Sequence, residues 1–130
     1  MSEYPTDDDL YDEYPHAGAY VSAIPMTTAF DFPDRRIERH VALVFGIVVR
    51  SRGAGKTLGN TINAITGGEA TTYTRLAEDT RSHAMDRLVA NATQLGANAV
   101  VGVRFDSSEI TQGQVEVIAY GTAVVVAEGD

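Results

Sequence analysis

The alternation of apolar and polar residues predicts three long strands. The first, "IERHVALVFGIVVR" (37–50), starts by alternating and then becomes apolar on both faces. Gly46 interrupts one of these faces, which indicates a close backbone approach or a bulge. Two further strands, "NAVVGVRFDSSEI" (98–110) and "QVEVIAYGTAVVVAE" (114–128), are joined by a short glycine-containing turn at 111–113. The last of them is again apolar on both faces.

A long amphipathic helix is predicted between the first and second strands. Apolar residues recur at helical spacing from about Thr72 to Leu95, and Gly96 then supplies the left-handed C-terminal cap. Two shorter elements complete the pattern: a strand-like stretch at 26–32 before a turn, and a short helix at about 57–66. The sequence therefore predicts an α+β fold with a two-layer β-α-β-β core, an antiparallel sheet, an extra N-terminal short strand and a short helix.

Strands that are apolar on both sides predict that both faces of the sheet are covered. An antiparallel sheet covered by one helix layer normally has one face in water, and its strands then alternate. Here at least two strands are apolar on both sides, and only one substantial helix is available to cover them. The sequence therefore favours a homo-oligomer built from sheet faces or edges. We expect its contacts to include Val44, Val48, Arg104, Ile118, Tyr120 and Val124.

The charge is concentrated at the N-terminus. Residues 1–40 carry nine acids and three bases, whereas residues 41–130 carry nine acids and seven bases, for a net charge of −8. Residues 1–22 contain an acidic cluster and few aliphatic side chains, a composition typical of a disordered tail. We therefore expect an acidic tail at 1–22 and an oligomerising domain at 23–130. Without a basic stripe, the chain is predicted to be a poor nucleic-acid binder, and no nucleic-acid partner is expected.

The sequence lacks cysteine, a membrane-spanning segment and a recognisable signal peptide, which limits the compartments and the metal sites that we expect. There is no cysteine, which excludes disulfides and thiolate metal sites. No apolar segment is long enough to span a bilayer, and no signal peptide is recognisable, so a cytoplasmic protein without membrane contact is expected. Two histidine–carboxylate pairs, Glu38 with His40 and Asp79 with His83, are the candidate ligands for a borderline metal such as zinc or nickel. Such pairs are more often surface hydrogen bonds, so no cofactor is predicted and a divalent metal stays an alternative.

The stretch "VVRSRGAGKTLGN" (48–60) resembles a phosphate-binding loop at first sight. That loop requires a glycine five positions before the glycine of Gly-Lys-Thr, and here the position is Arg50. A nucleotide-dependent enzyme is therefore the least favoured hypothesis. The alternative is a cationic surface loop in which Arg50, Arg52 and Lys56 contact an anion or a neighbouring subunit. No catalytic constellation is recognisable, and no catalytic residue is predicted.

The pattern Leu-Gly-Ala-x-Ala-Val-Val-Gly-Val at 95–103, followed by Gly-Thr-Ala-Val at 121–124, resembles the YbjQ-like family. Thr27-Thr28, Arg36-Ile37 and Gly46-Ile47-Val48 extend the resemblance, which covers about residues 24 to 127. Members are small uncharacterised proteins, often labelled "putative heavy-metal-binding domain". The resemblance implies a dodecin-like core assembled into a ring, usually a pentamer, and no known enzymatic activity.

The leading hypothesis is a non-enzymatic, ring-forming homo-oligomer that serves as a binding or scaffold module. The alternative is a metal- or small-ligand-binding protein with sites between subunits, near the 50–57 loop or His40.

Overall fold

The computed structural model describes residues 18–51 and 70–128. The predicted short helix at 57–66 and the loop residues Arg52 and Lys56 lie outside these ranges.

The described chain has the predicted β-α-β-β order. Its elements are β1 (Ile37–Ser51), α1 (Ala70–Gln94), β2 (Ala99–Thr111) and β3 (Gln114–Val126). The strands form one antiparallel sheet in the order β1-β3-β2. The α+β prediction is confirmed, and the helix and strands begin and end within two residues of their predicted limits.

The β2–β3 connection is a tight hairpin. Thr111 pairs with Gln114, so the turn itself consists of Gln112 and Gly113. Gly113 has a φ of 86°, a conformation that glycine adopts without steric cost. The glycine in the predicted turn therefore lies where the backbone requires it.

Helix α1 packs on one face of the sheet, here called the inner face, mainly against β1 and β3. Gly46 makes this contact close: a Cβ there would overlap the carbonyl oxygen of Ala84 and lie 2.9 Å from the Cβ of Arg87. The close backbone approach predicted at this glycine is confirmed. The buried residues of this layer are Val44, Ala84, Met85, Leu88, Ala92, Ala97, Val100, Val103, Ala119 and Ala123.

The end of α1 has the predicted cap. The Gly96 amide donates to the Thr93 carbonyl and the Ala97 amide to the Ala92 carbonyl, while Gly96 has a φ of 87°. This is the Schellman arrangement that a glycine after the last turn favours. Leu95, predicted to belong to the apolar stripe, follows the last residue of α1 and is 51% exposed.

Residues 18–36, here called the arm, run along the β2 edge. The Thr27 amide donates to the Val100 carbonyl (3.1 Å), and the Gly102 amide donates to the Ala29 carbonyl (2.8 Å). The predicted strand at 26–32 does not form as a regular strand: Met26 makes an isolated parallel bridge with Val100, and Phe32 makes an isolated antiparallel bridge with Arg35. The backbone of this segment is satisfied by irregular pairing with β2.

The arm also revises the predicted boundary of the tail. Tyr20 packs against the core under α1, and its hydroxyl donates to the Asp86 carboxylate at 2.6 Å. Residues 18–22 therefore belong to the folded domain, which begins earlier than the predicted residue 23. Residues 1–17 lie outside the described part of the chain.

Further along, the arm crosses to the face of the sheet opposite α1, here called the outer face. Phe32 and Ile37 pack there against a second cluster made of Ala99, Val101, Val124 and Val126. A turn joins Phe32 to Arg35, where the sequence predicts one from Pro33-Asp34. One end of the outer face is therefore covered by the chain itself.

Asn98 holds the end of β3. Its side-chain amide nitrogen donates to the Val126 carbonyl (3.1 Å), and its oxygen accepts from the Val126 amide (2.8 Å). The Asn98 side chain thus makes the pair of hydrogen bonds that a residue of a neighbouring strand would make.

Candidate functional site

The outer face combines side chains from all three strands. Residues directly opposite each other in an antiparallel pair have their side chains on the same side of the sheet. The register from β1 to β3 is Leu43–Thr122, Phe45–Tyr120, Ile47–Ile118 and Val49–Glu116. From β2, Arg104, Asp106 and Ser108 lie on the same face. The outer face is thus apolar towards β1 and polar towards β2.

The apolar half of the outer face is open to solvent. Leu43 is 71% exposed, and Phe45 and Val49 are each 49% exposed. Beside them on the same face lie the half-buried side chains of Ile47, Ile118 and Tyr120. We call this surface the apolar patch: Leu43, Phe45, Ile47, Val49, Ile118 and Tyr120. An uncovered run of large apolar side chains on a sheet is typical of an interaction surface.

The predicted contact residues divide between the two faces. Ile118 and Tyr120 belong to the apolar patch. Val44, 3% exposed, and Val48 instead face α1, and Val124 is buried beneath the arm. The choice of Val44 and Val124 as contacts is corrected here, because their side chains are already covered within one chain.

The sequence analysis did not single out Leu43, Phe45 and Val49, which the structure leaves exposed on one face of β1. The signal was Gly46. A glycine in an apolar strand indicates close approach of another backbone, so the face with Gly46 and Val44 had to be the helix side.

Arg104 fastens the arm to the sheet. One guanidinium nitrogen donates to the Thr28 carbonyl (2.9 Å) and to the Val103 carbonyl (2.8 Å). Its charge lies 5.7 Å from the centre of the Phe30 ring, within the range of a cation–π contact. Because Arg104 is exposed and pairs opposite Tyr120, it also borders the apolar patch.

Two candidate residues from different hypotheses meet on the inner face. Arg50 Nη2 lies 3.0 Å from His83 Nδ1. A guanidinium has no acceptor, so it donates, and Nδ1 accepts from it. A neutral His83 then carries its proton on Nε2. The structure therefore joins the candidate anion-binding residue Arg50 to the candidate metal ligand His83.

In the other candidate metal pair, Glu38 contacts a neighbouring arginine and His40 is exposed. Glu38 accepts from the Arg36 guanidinium at 3.4 Å, and both side chains are exposed, as is His40. Across residues 18–51 and 70–128, no three His, Asp or Glu side chains come together in a way that would hold a metal ion.

A shallow groove lies between the arm and α1. It has a volume of about 460 Å³ and is lined by Tyr20, Ile24, Met26, Met85 and Phe105, among others. The Arg81 guanidinium lies 5.2 Å from the centre of the Phe105 ring, near Tyr20 and Met85. Burial and the hydrogen bond to Asp86 raise the pKa of Tyr20 well above its ordinary value. Tyr20 therefore stays neutral and keeps the arm in place.

The fold and the outer face define a class: small α+β proteins whose three-stranded sheet is covered by a helix on one side and only partly covered on the other. In the part of the chain that the structure describes, no helix is long and apolar enough to cross a membrane.

Comparison with known proteins identifies the family. The model of the YbjQ family, described as "Putative heavy-metal-binding", matches residues 24–127. A UPF0145 protein of Solibacter usitatus (strain Ellin6076) is 48% identical over 101 residues, covering 78% of this chain and 90% of that protein. A UPF0145 protein of Sulfurisphaera tokodaii is 46% identical over 107 residues, covering 82% and 94%. The chain belongs to the YbjQ family, and the resemblance seen in the sequence is confirmed.

A solved structure supports the fold. The crystal structure of a protein with unknown function of the DUF74 family from Pediococcus pentosaceus superposes with a TM-score of 0.52, covering 82% of this chain and all of that one. At 14% identity, this similarity concerns the fold alone. The family description names binding and no reaction, so the family is not one defined by an enzymatic activity.

Proposed function

We propose that the protein is a non-enzymatic homo-oligomer whose copies contact each other through the apolar patch, serving as a binding or scaffold module. The observation that carries this proposal is the exposure of Leu43, Phe45 and Val49 on one sheet face. Covering apolar surface stabilises an assembly by roughly 25 cal/mol per Å² before the entropy of association is subtracted. The pentameric ring implied by the family resemblance is the assembly we propose.

Two features support a second copy as the occupant. The arm already covers one end of the outer face with Phe32 of the same chain, whereas the apolar patch stays exposed and has the same requirement for cover. The patch also ends against the polar half of the face, where Arg104, Asp106 and Glu116 provide a charged rim. An apolar centre with a polar rim is the usual composition of a protein interface.

The mass in solution tests the proposal. Light scattering at micromolar concentration should give a multiple of the 13.9 kDa chain, about 70 kDa for a five-membered ring. Leu43→Lys should reduce this mass, because a buried ammonium without a partner is costly at an interface. Leu95→Lys is the matched control: Leu95 is also exposed, but it lies at the end of α1, and its variant should keep the wild-type mass. A wild-type mass near 14 kDa would contradict the proposal.

Metal binding between copies is the second candidate, and the observation for it is the description of the family. The described part of one chain supplies no complete ligand set, so a metal would need ligands from several copies, with exposed His40 as the candidate from each. Elemental analysis of untagged protein, compared with His40→Ala, tests it. Stoichiometric zinc or nickel that His40→Ala removes would support this candidate, and an empty wild-type protein would exclude it.

A further inference from the structure

The groove between the arm and α1 continues into a second, smaller cavity. Tyr20, Met85 and Phe105 line both, so the two spaces meet at these side chains. The groove has a volume of about 460 Å³ and the smaller cavity a volume of about 210 Å³. Binding sites for small molecules usually measure roughly 300–1,000 Å³. The joined space is therefore large enough for a small organic ligand.

The walls of the groove are mainly apolar and adaptable. Ile24 and Met26 of the arm line it together with Met85 of α1 and with Val103 and Phe105 of β2. Methionine side chains are flexible enough to fill irregular spaces, and their sulfur atoms make favourable contacts with aromatic rings. The groove therefore suits a large apolar group, and an aromatic ring in particular.

The smaller cavity has one charge of each sign in its wall. Glu78 and Arg81 both line it, three residues apart on α1. Side chains at this spacing are neighbours on a helix surface. Within residues 18–51 and 70–128, however, the structure shows no ion pair between these two side chains. The Arg81 guanidinium instead lies over the Phe105 ring, so a carboxylate and a guanidinium both stay open to a ligand.

We propose that the joined cavities bind an α-amino acid with a large apolar side chain. The carboxylate of the ligand accepts hydrogen bonds from Arg81, and its ammonium group donates to Glu78. Its side chain lies in the groove beside Met26 and Met85. A zwitterion with an apolar side chain matches the order in which the charged and apolar surfaces follow each other along the joined space.

This candidate site is separate from the apolar patch. Val103 belongs to the inner layer, and Phe105, two residues further along β2, lies on the same face of the sheet. The groove is therefore on the helix side of the sheet, whereas the apolar patch is on the outer face. The amino-acid site does not rest on the proposed homo-oligomer, so either proposal can fail while the other holds.

NMR of the methionine methyl groups tests the site. The chain has three methionines, and Met26 and Met85 line the groove. In the full-length protein with isotope-labelled methyl groups, L-phenylalanine should shift both signals with a dissociation constant on the order of 1 mM. N-acetyl-L-phenylalanine lacks the ammonium charge and L-phenylalaninamide lacks the carboxylate, so each should bind about 10-fold more weakly.

Three results of this titration would overturn the proposal. The first is that neither signal shifts at about ten times the expected dissociation constant. The second is equal binding of all three compounds, since the groove would then be only an apolar surface. The third is a shift of both signals on dilution of the ligand-free protein, because a second copy of the chain would then occupy the groove.

Charge variants give a second readout. Arg81→Gln should bind L-phenylalanine no better than its amide, and Glu78→Gln should bind it no better than its N-acetyl form. Both residues are exposed, so both variants should fold, which circular dichroism checks. Arg87→Gln is the matched control, because Arg87 is an exposed arginine of α1 that lines neither cavity, and it should bind like the wild type. Wild-type preferences in Arg81→Gln and Glu78→Gln would contradict the assignment.

Discussion

At the scale of single residues, the packing of α1 on the sheet depends on Gly46. Its missing side chain lets the backbone of β1 approach the turn of α1 between Ala84 and Leu88. This contact was predictable, since a lone glycine in an apolar strand is typical of a close approach by another backbone. The Arg50–His83 contact was not predictable, because it depends on the position of α1 along β1. The apolar periodicities of the strand and of the helix do not reveal that position.

Adding a methyl group at Gly46 should destabilise the fold. Gly46→Ala is expected to lower the free energy of unfolding by about 1–3 kcal/mol through overpacking, and Gly46→Asn by more. Urea unfolding followed by circular dichroism measures both. Gly96 is the contrasting position, because its surroundings are open and only its positive φ matters. There Asn should be better tolerated than Ala, and the reverse order at Gly96 would contradict this account.

At the scale of elements, the long strands and the helix were predictable and the arm was not. Long elements repeat their apolar pattern often enough to define a period, as 37–50 and 72–95 did. The arm contains no such repeat. It is held by scattered bonds to β2 and by single side chains such as Tyr20 and Phe32, whose partners are distant in sequence. The two apolar faces of β1 were visible in the sequence, but the arm decides which parts of the outer face stay open.

The attachment of the arm should depend on pH through Tyr20. Because its pKa is raised in the folded state by burial and by Asp86, its contribution is complete below the ordinary tyrosine pKa of about 10 and is lost as pH rises further. Tyr20→Phe should lower the free energy of unfolding at pH 7 by about 0.5–1.5 kcal/mol, a modest value since the bond is exposed. Urea unfolding at pH 7 and pH 11 should show this difference shrinking at the higher pH. A difference that grows with pH would contradict the assignment.

At the scale of the whole molecule, the sheet has a buried core on its inner face and an apolar surface that is only partly covered on its outer face. The inner layer is closed by α1, and the outer layer is closed only where Phe32 and Ile37 lie. Stability should therefore belong partly to the assembly and not to the single chain. The sequence indicated this through strands that are apolar on both faces, although it did not distinguish covered from uncovered positions.

Assembly should be visible in thermal unfolding. For a homo-oligomer that dissociates on unfolding, mass action makes the apparent Tm rise with protein concentration. We expect this rise for the wild type between 1 and 100 µM chain, concentrations chosen to span about two decades. The Leu43→Lys monomer should unfold at a Tm independent of concentration, and Leu95→Lys should follow the wild type. A wild-type Tm that does not change with concentration would argue against coupling of folding to assembly.

The Asn98 side chain holds the end of β3 through two hydrogen bonds to Val126. Its side chain imitates a strand residue because an amide offers a donor and an acceptor together, each matched to Val126. Asn98→Asp would keep the shape and replace the donor with a second acceptor, facing the Val126 carbonyl. The end of β3 would then lose its hold at the place where Val124 and Val126 are packed beneath the arm. The hold on this end of the sheet therefore depends on a single nitrogen atom of one side chain.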